Sequence, residues 1–215
     1  MCGRYANAIE TLYDWAELFN RWPSDVVATG YNIAPSMPAP VLTAGGIRSM
    51  RWGLMPSWSA QASIHYPTFN ARLETVAVKP AFRQAWRWGQ TCLVPALGYY
   101  EWQPASGGKQ PYFIRANNGR PLVFAGLYEP AHHDGPASFT IITRAADATM
   151  SRLHPRIPVL AAVRDAHAWL AGDTGCVGGM RRPGLRVYAV GTQVNAVRNT
   201  GSNLVAPLVG PTHLA

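Results

Sequence analysis

Two neighbouring runs, Cys92-Leu-Val-Pro95 and Gly98-Tyr-Tyr-Glu-Trp102, decide the fold class of this 215-residue chain. Each run is short and rich in apolar or aromatic residues, and proline and glycine punctuate the segment that holds them. Runs of this length are typical of buried β-strands. We therefore expect two strands that are close in sequence and neighbours in a sheet.

The same pattern recurs along most of the chain. Strands are predicted at 41–43, 47–53, 92–95, 98–102, 112–115, 122–127, 139–143 and 186–190, after a short extended segment at the N-terminus. Helices are predicted from Asn7 to before Pro23, from about 79 to 88 and from about 164 to 170. The expected fold is α+β, with mainly antiparallel strands forming two packed sheets or an irregular barrel and a few flanking helices. We expect residues 1–215 to form one domain.

The charge of the chain is unusual for its composition. The net charge is +8, yet only 14% of the residues are charged. Nearly all of the positive charge is arginine, because Lys79 and Lys109 are the only lysines. Arginine binds phosphates through two parallel hydrogen bonds and stacks on aromatic rings, so arginines together with eight tryptophans indicate a nucleic-acid surface. The alternative is compositional drift in a genome rich in Ala and Arg.

Other features narrow the class of protein. No signal peptide is evident, and no apolar run is long enough to span a bilayer, so we expect a cytoplasmic protein that does not bind membranes. We also expect a monomer. Cys2, Cys92 and Cys176 form no CxxC pair and are odd in number, so no metal, cofactor or disulfide framework is expected. Cys92 is most simply a buried thiol.

Cys2 is the residue with the most distinctive chemistry. If the initiator Met1 is removed, Cys2 becomes the N-terminus and carries a free α-amine beside its thiol, with pKa values of roughly 8 and 8.5. The amine can form a Schiff base with an aldehyde, and the thiol can then close a five-membered thiazolidine ring. The alternative is a terminal cysteine with no role.

Five segments together carry a family resemblance: Met1-Cys-Gly-Arg-Tyr5, Arg51-Trp-Gly-Leu-Met-Pro-Ser-Trp58, Phe69-Asn-Ala-Arg-Leu-Glu-Thr75, Gly98-Tyr-Tyr-Glu-Trp102 and His154-Pro-Arg-Ile-Pro158. In this order they resemble the SOS-response-associated peptidase (SRAP) family, whose members crosslink to abasic sites in single-stranded DNA. The resemblance extends from residue 1 to at least Asn195. It implies covalent capture of abasic sites through Cys2 during the DNA damage response, with the protein associated with the nucleoid when bound to DNA and replication or repair proteins as possible partners.

Four catalytic residues follow from this resemblance and from the chemistry of the sugar. Cys2 supplies the amine and thiol, and His154 protonates the ring oxygen as the sugar opens. Glu101 lies between aromatic residues, where we expect partial desolvation to raise its pKa and let it transfer protons at the Cys2 amine. Asn70 offers an amide that holds the sugar hydroxyl or the amine without adding charge. The alternatives are a surface carboxylate for Glu101, a turn residue for Asn70 and a structural histidine for His154.

The DNA-binding residues are predicted from what a single strand presents, a track of phosphates and exposed base faces. Arg4, Arg72 and Arg156 each lie two residues from a catalytic candidate, and we expect them to bind phosphates. The candidates for base stacking are Trp52, Trp58 and Trp102, of which at most two are expected to contact DNA. Arg48 and Arg51 are candidates to extend the basic groove, or else ordinary surface arginines.

Two other functions fit parts of the same pattern. A cysteine-dependent peptidase or amidohydrolase would use the Cys2 thiolate as nucleophile and its α-amine as base. A noncovalent single-stranded DNA-binding module would need the arginines and tryptophans but not Cys2. A denaturing gel after incubation with abasic DNA separates these functions from covalent capture.

Overall fold

The computed structural model describes residues 2–7, 30–59, 66–132 and 135–208. These residues contain twelve β-strands and two α-helices with short 3₁₀ helices between them. The strands are β1 Tyr5–Asn7, β2 Gly30–Ile33, β3 Pro38–Thr43, β4 Gly46–Trp52, β5 Asn70–Arg72, β6 Thr91–Ala96, β7 Gly98–Ala105, β8 Gly108–Ala116, β9 Leu122–Glu129, β10 Ser138–Ala145, β11 Arg156–Pro158 and β12 Leu185–Ala189. The helices are α1 Arg83–Arg87 and α2 Val163–Leu170.

The strands form two sheets. The first sheet is antiparallel and has the order β12-β8-β7-β1-β2. The second has the order β11-β10-β4-β3-β6-β9, and β5 joins it through a parallel pairing with β10. Since β10 also pairs with β9, the second sheet is partly ring-like without forming a clear barrel.

The main core lies between the two sheets. It contains Cys2 and Tyr5 from the N-terminal segment, Trp52 from β4 and Phe124 from β9. A second apolar cluster covers the other face of the second sheet beneath α1 and α2. Alternate residues of β6 enter the two clusters, which explains why this strand is a continuous apolar run in the sequence.

Gly98 fixes the start of β7 against the next strand. A Cβ atom at this position would lie 2.5 Å from a ring carbon of Phe113 and would also overlap the carbonyl oxygen of Ile114. The close backbone approach therefore requires glycine. Because Glu101 lies three residues further along β7, this contact helps to set where its carboxylate is placed.

The predicted fold class is confirmed, with mainly antiparallel strands in two packed sheets. Each of the eight predicted strand regions overlaps an observed strand, and the predicted helix at 164–170 is confirmed within one residue. The helix predicted at 79–88 is shorter, since residues before Arg83 form turns. The strands β2, β5 and β11 were not predicted. The helix predicted after Asn7 lies outside the described residues.

Within the described ranges, no helix is both long and apolar enough to cross a lipid bilayer.

Candidate active site

The register between β1 and β7 brings the N-terminal segment beside Glu101. Tyr5 pairs with Tyr99, and the Tyr100 N–H donates to the Arg4 carbonyl at 2.9 Å. Continuing this antiparallel register places Glu101 across from the residue that follows Cys2. The carboxylate and the Cys2 thiol are close enough for the charge of Glu101 to raise the pKa of the thiol.

Cys2 is fully buried at the edge of the core. Desolvation raises the pKa of its thiol far above the ordinary value, and the negative charge of Glu101 raises this pKa further. The charge of the N-terminal amine and a hydrogen bond from the Arg4 backbone lower the pKa without reversing the shift. The Cys2 thiol is therefore neutral at physiological pH in this state.

Strand β10 positions two further parts of the site. Its residue Ile141 pairs with Asn70 of β5 on one side, while Ala145 pairs with Arg156 of β11. The Asn70 Nδ2 donates a 2.7 Å hydrogen bond to the Cys2 carbonyl. The Asn70 Oδ1 is buried and has no hydrogen-bond partner among the described residues, so this acceptor is available to a ligand or to the Cys2 amine.

His154 and Glu101 face each other from different sheets. The His154 Nδ1 lies 4.0 Å from Glu101 Oε1, and their side chains are 25% and 6% exposed. Burial raises the pKa of Glu101, and the nearby His154 partly offsets this shift. The His154 Nδ1 also lies 2.9 Å from the Arg156 backbone nitrogen, which donates to it and orients the ring. A carboxylate that can take up a proton nearer neutrality is thus beside an imidazole.

Two tyrosines form the inner wall of the site. Tyr5 and Tyr99 are opposite each other on β1 and β7, and both are fully buried. Burial raises the pKa of each phenol, and the negative form of Cys2 raises both further. Neither hydroxyl has a hydrogen-bond partner among the residues that the structure describes. Neither residue was predicted from the sequence, although Tyr5 and Tyr99 lie within the segments Met1–Tyr5 and Gly98–Trp102.

The three arginines assigned to phosphates have different environments. Arg72 is exposed at the end of β5, and the structure describes no ion pair for it. Arg156 instead makes a bidentate ion pair with Glu74, at 2.7 and 2.8 Å, and also donates to the Thr143 carbonyl. This contact lowers the pKa of Glu74. Arg156 therefore ties β11 to the segment after β5, and Glu74 is a site residue that the sequence analysis missed.

Arg4 is half-buried and anchors the N-terminal segment. Its Nη1 donates to Asn32 Oδ1 at 2.7 Å and to the Val194 carbonyl at 2.8 Å. Its guanidinium also lies 5.8 Å from the centre of the Trp102 ring, within cation–π distance. Arg4 was expected to project from the same face as Arg72 and Arg156 and to bind phosphate. In the structure, its guanidinium instead donates hydrogen bonds to Asn32 and to the Val194 carbonyl.

The three tryptophan candidates for base stacking differ in how much of each ring is exposed. Trp52 is fully buried, packs edge-on against Tyr5 and Phe69, and donates from Nε1 to the Phe69 carbonyl. Since at most two of the three candidates were expected to contact DNA, Trp52 is the one that the structure places in the core. Trp102 is partly buried and donates to Asn195, whereas Trp58 is 55% exposed.

A shallow cleft of about 190 Å³ adjoins the site. Among its lining residues are Ser36, Arg51, Tyr66 and Phe69, and the last of these directly precedes Asn70. Arg51 donates to the Gly53 carbonyl and to the Ser36 hydroxyl. The other predicted groove residue, Arg48, is exposed on β4.

The four catalytic candidates lie in one corner of the molecule. Asn70 and Glu101 come from β5 and β7, and Cys2 and His154 come from the segments that precede β1 and β11. No cluster of three or more His, Cys, Asp or Glu side chains that could hold a metal occurs in the described part of the chain. The site can supply a buried thiol, a carboxylate with a raised pKa, an imidazole and an amide.

Comparisons with known proteins agree with this architecture. The SOS response associated peptidase (SRAP) family model matches residues 1–197. The abasic site processing protein YoaM of Bacillus subtilis is 34% identical over 180 residues, 79% of each chain. The abasic site processing protein YedK of Escherichia coli is 28% identical over 231 residues, covering 97% of this chain and all of that protein.

A solved structure shows the same fold. A protein from Bacteroides thetaiotaomicron superposes with a TM-score of 0.82 at 19% sequence identity, covering 97% of this chain and 100% of that one. Since the family model spans most of the sequence, this chain belongs to the SOS response associated peptidase (SRAP) family.

Proposed function

We propose that this protein captures abasic sites in single-stranded DNA by forming a covalent bond through Cys2, once Met1 has been removed. The convergence of Cys2, Asn70, Glu101 and His154 in one buried corner carries this proposal. The family relatives named as abasic site processing proteins support DNA with abasic sites as the substrate.

The reaction begins with the sugar. An abasic deoxyribose is mostly a closed hemiacetal, and the reactive aldehyde forms when the ring opens. His154 is partly exposed beside the buried Glu101, so it can meet the sugar and protonate its ring oxygen. A general acid of this kind accelerates a step by about 10²- to 10⁴-fold.

The Cys2 α-amine then attacks the C1′ aldehyde. A carbon–nitrogen bond forms, the oxygen leaves as one water molecule, and the product is a Schiff base. The hydrogen bond from Asn70 to the Cys2 carbonyl holds the residue in place during this step. Glu101 accepts the proton that the attacking amine releases, and its raised pKa suits it to return that proton to the leaving oxygen.

Ring closure uses the thiol. The Cys2 sulfur bonds to the imine carbon, the thiol proton ends on the nitrogen, and no other atom leaves. Because burial keeps this thiol neutral, the amine is the better first nucleophile and closure needs a base. We assign this role to Glu101, whose charge acts on the Cys2 thiol and which passes the thiol proton to nitrogen.

The same burial argues against the hydrolase alternative. A cysteine peptidase or amidohydrolase needs a thiolate as its first nucleophile, which requires a lowered thiol pKa. Here desolvation and Glu101 both raise the pKa of Cys2. The thiol environment therefore favours aldehyde capture, in which the amine attacks first.

Binding of the DNA strand is assigned to exposed cationic and aromatic groups. Arg72 is exposed at the far end of the short strand that begins with Asn70, and it is the best-placed phosphate ligand among the predicted arginines. Trp102 is partly exposed beside Glu101 and can contact a base next to the abasic site.

The test is a denaturing gel after incubation with single-stranded DNA that contains one abasic site. Wild-type protein should shift the DNA to a band that survives denaturant without reductant, whereas Cys2→Ala should give such a band only after borohydride treatment. A Cys92→Ala variant is the matched control, because Cys92 is equally buried and should not matter. Adducts that persist in Cys2→Ala without reductant would contradict the proposal.

A further inference from the structure

Two large aromatic side chains outside the proposed site are exposed to solvent. Trp58 is 55% exposed and Trp88 is 61% exposed. Trp58 follows the cleft beside Asn70, and Trp88 caps the C-terminal end of α1. Each exposed indole ring offers a flat apolar face that a ligand can cover.

One hydrogen bond places these two tryptophans on a common surface. Gln84 of α1 donates from Nε2 to the Ser57 hydroxyl at 3.0 Å. Trp88 is four residues after Gln84, and its backbone N–H donates to the Gln84 carbonyl at 3.0 Å. Residues four apart on a helix lie on the same face, and the later side chain covers the earlier turn. Trp58 directly follows Ser57 and Trp88 is one turn after Gln84, so both tryptophans adjoin the Ser57–Gln84 contact.

The charge around this contact is positive. Arg83 and Arg87 lie four residues apart on α1 and are both exposed, and Lys79 is exposed in the preceding turn. None of the three forms an ion pair with the part of the chain that is described, and the first turn of α1 holds no acidic residue. Gly89, which follows Trp88, contacts Gly172 of another segment, and the acidic residue Asp173 comes directly after Gly172.

The surface is connected to the proposed active site. The cleft lined by Arg51, Tyr66 and Phe69 starts next to Asn70 and reaches Met55, two residues before Ser57. Tyr66 in this cleft is itself 49% exposed. The cleft beside Asn70 and the Ser57–Gln84 contact are thus joined by the short segment from Met55 to Ser57.

We propose that Trp58, Trp88, Arg83 and Arg87 form a second binding surface for the same unpaired DNA strand, several nucleotides away from the reacting sugar. Bases stack on the two indole rings, and the arginines contact phosphates, which is the combination that sequence-independent single-strand binding requires. The assignment of this surface to the same DNA strand rests on the proposed function, because that strand continues from the reacting sugar to α1. Its capacity to bind a strand does not depend on that function.

The test uses intact single-stranded DNA without an abasic site, so that covalent capture plays no part. Fluorescence anisotropy with oligonucleotides of about 5 and about 15 nucleotides measures affinity. Trp88→Ala should weaken binding of the longer strand at least about fivefold and affect the shorter strand far less. Trp88→Phe should restore much of the affinity because it keeps a ring for stacking.

Two further variants separate stacking from charge. Replacing Arg83 and Arg87 by glutamine should reduce the salt slope for the longer strand by about 0.7 for each phosphate that these arginines bind. Val78→Ala is the matched control, because Val78 is 69% exposed but has no ring or charge. It should bind both strands as the wild type does.

Three outcomes would overturn this inference. One is unchanged affinity of Trp88→Ala for the longer strand, and another is an equal decrease for both lengths. The third is a Trp88-dependent self-association in sedimentation with unchanged DNA affinity, which would make this surface a protein interface. Failure of the abasic crosslink with normal length-dependent binding would instead contradict the proposed function alone.

Discussion

At the scale of single residues, the site combines a neutral buried thiol with a carboxylate whose pKa is raised. Both shifts have desolvation as their largest cause, and the negative charge of Glu101 further disfavours the thiolate of Cys2. Both effects favour the protonated thiol. In the proposed reaction this state favours attack by the amine first, because a protonated thiol is a far weaker nucleophile than a thiolate.

The pH dependence of adduct formation tests the role of Glu101. Its pKa is raised, so its base form disappears as the pH falls through a value above the ordinary 4.5. The wild-type rate should fall at that step as well as at the higher titration of the amine. Glu101→Gln should be slower by about 10²- to 10⁴-fold and should lack the lower step while keeping the amine step.

The control for that variant is Glu129→Gln. Glu129 is also buried, and its pKa is also raised by desolvation, but it lies near His132 at the end of β9. Its rate profile should match the wild type. A profile in which Glu101→Gln keeps both steps would show that another group is the base.

His154 is predicted to act on the chemistry and not on binding. His154→Ala should slow adduct formation at saturating protein without preventing it, because some sugar is already open. His167→Ala is the control, since His167 is exposed on α2. Crosslink time courses and anisotropy of intact DNA measure the two effects, and a decrease in affinity alone would place His154 in the binding surface.

At the scale of elements, the site depends on strand pairings that are distant in sequence. Asn70 and Arg156 are both fixed by β10, although they are far apart along the chain. The strands that carry Glu101 and the core were predictable, because their apolar and aromatic runs, although short, are punctuated by glycine and proline. Strands β5 and β11 have three residues each, and a three-residue strand is stabilised by its neighbours and not by its own pattern.

The contact at Gly98 gives a test at this scale. Gly98→Ala should lower the free energy of unfolding by about 1–3 kcal/mol, because the new methyl group overlaps Phe113 and the backbone of β8. Gly178→Ala is the control, since a Cβ there would contact nothing within 4 Å. Urea denaturation compares the two variants, and equal stabilities would show that β7 and β8 can separate without cost.

At the scale of the whole molecule, the sequence predicted Asn70 beside Cys2 and His154 beside Glu101 in one site, but not how its arginines are used. Residue type and spacing suggested three equivalent phosphate ligands. The structure instead commits Arg4 to Asn32 and Arg156 to Glu74 and leaves Arg72 exposed. Partners of this kind depend on tertiary contacts, so spacing along one segment could not predict them.

The net charge of +8 predicts a strong salt dependence of DNA binding. The logarithm of affinity for single strands should fall with the logarithm of salt with a slope of about −0.7 for each phosphate contact. Arg72→Ala should reduce this slope by about one contact and weaken binding of different sequences alike. A weakening confined to particular sequences would indicate contacts with bases.

The central claim is that the reactive group is the terminal aminothiol of Cys2. The most direct measurement is the intact mass of the adduct with abasic DNA, followed by mapping of the modified peptide. The account predicts a protein without Met1, joined to the DNA aldehyde with the release of one water, and the modification on Cys2. A form with a residue ahead of Cys2 should bind DNA but give no adduct, since its nitrogen is locked in an amide. An adduct on Cys92 or Cys176, or one formed by protein that retains Met1, would contradict the account.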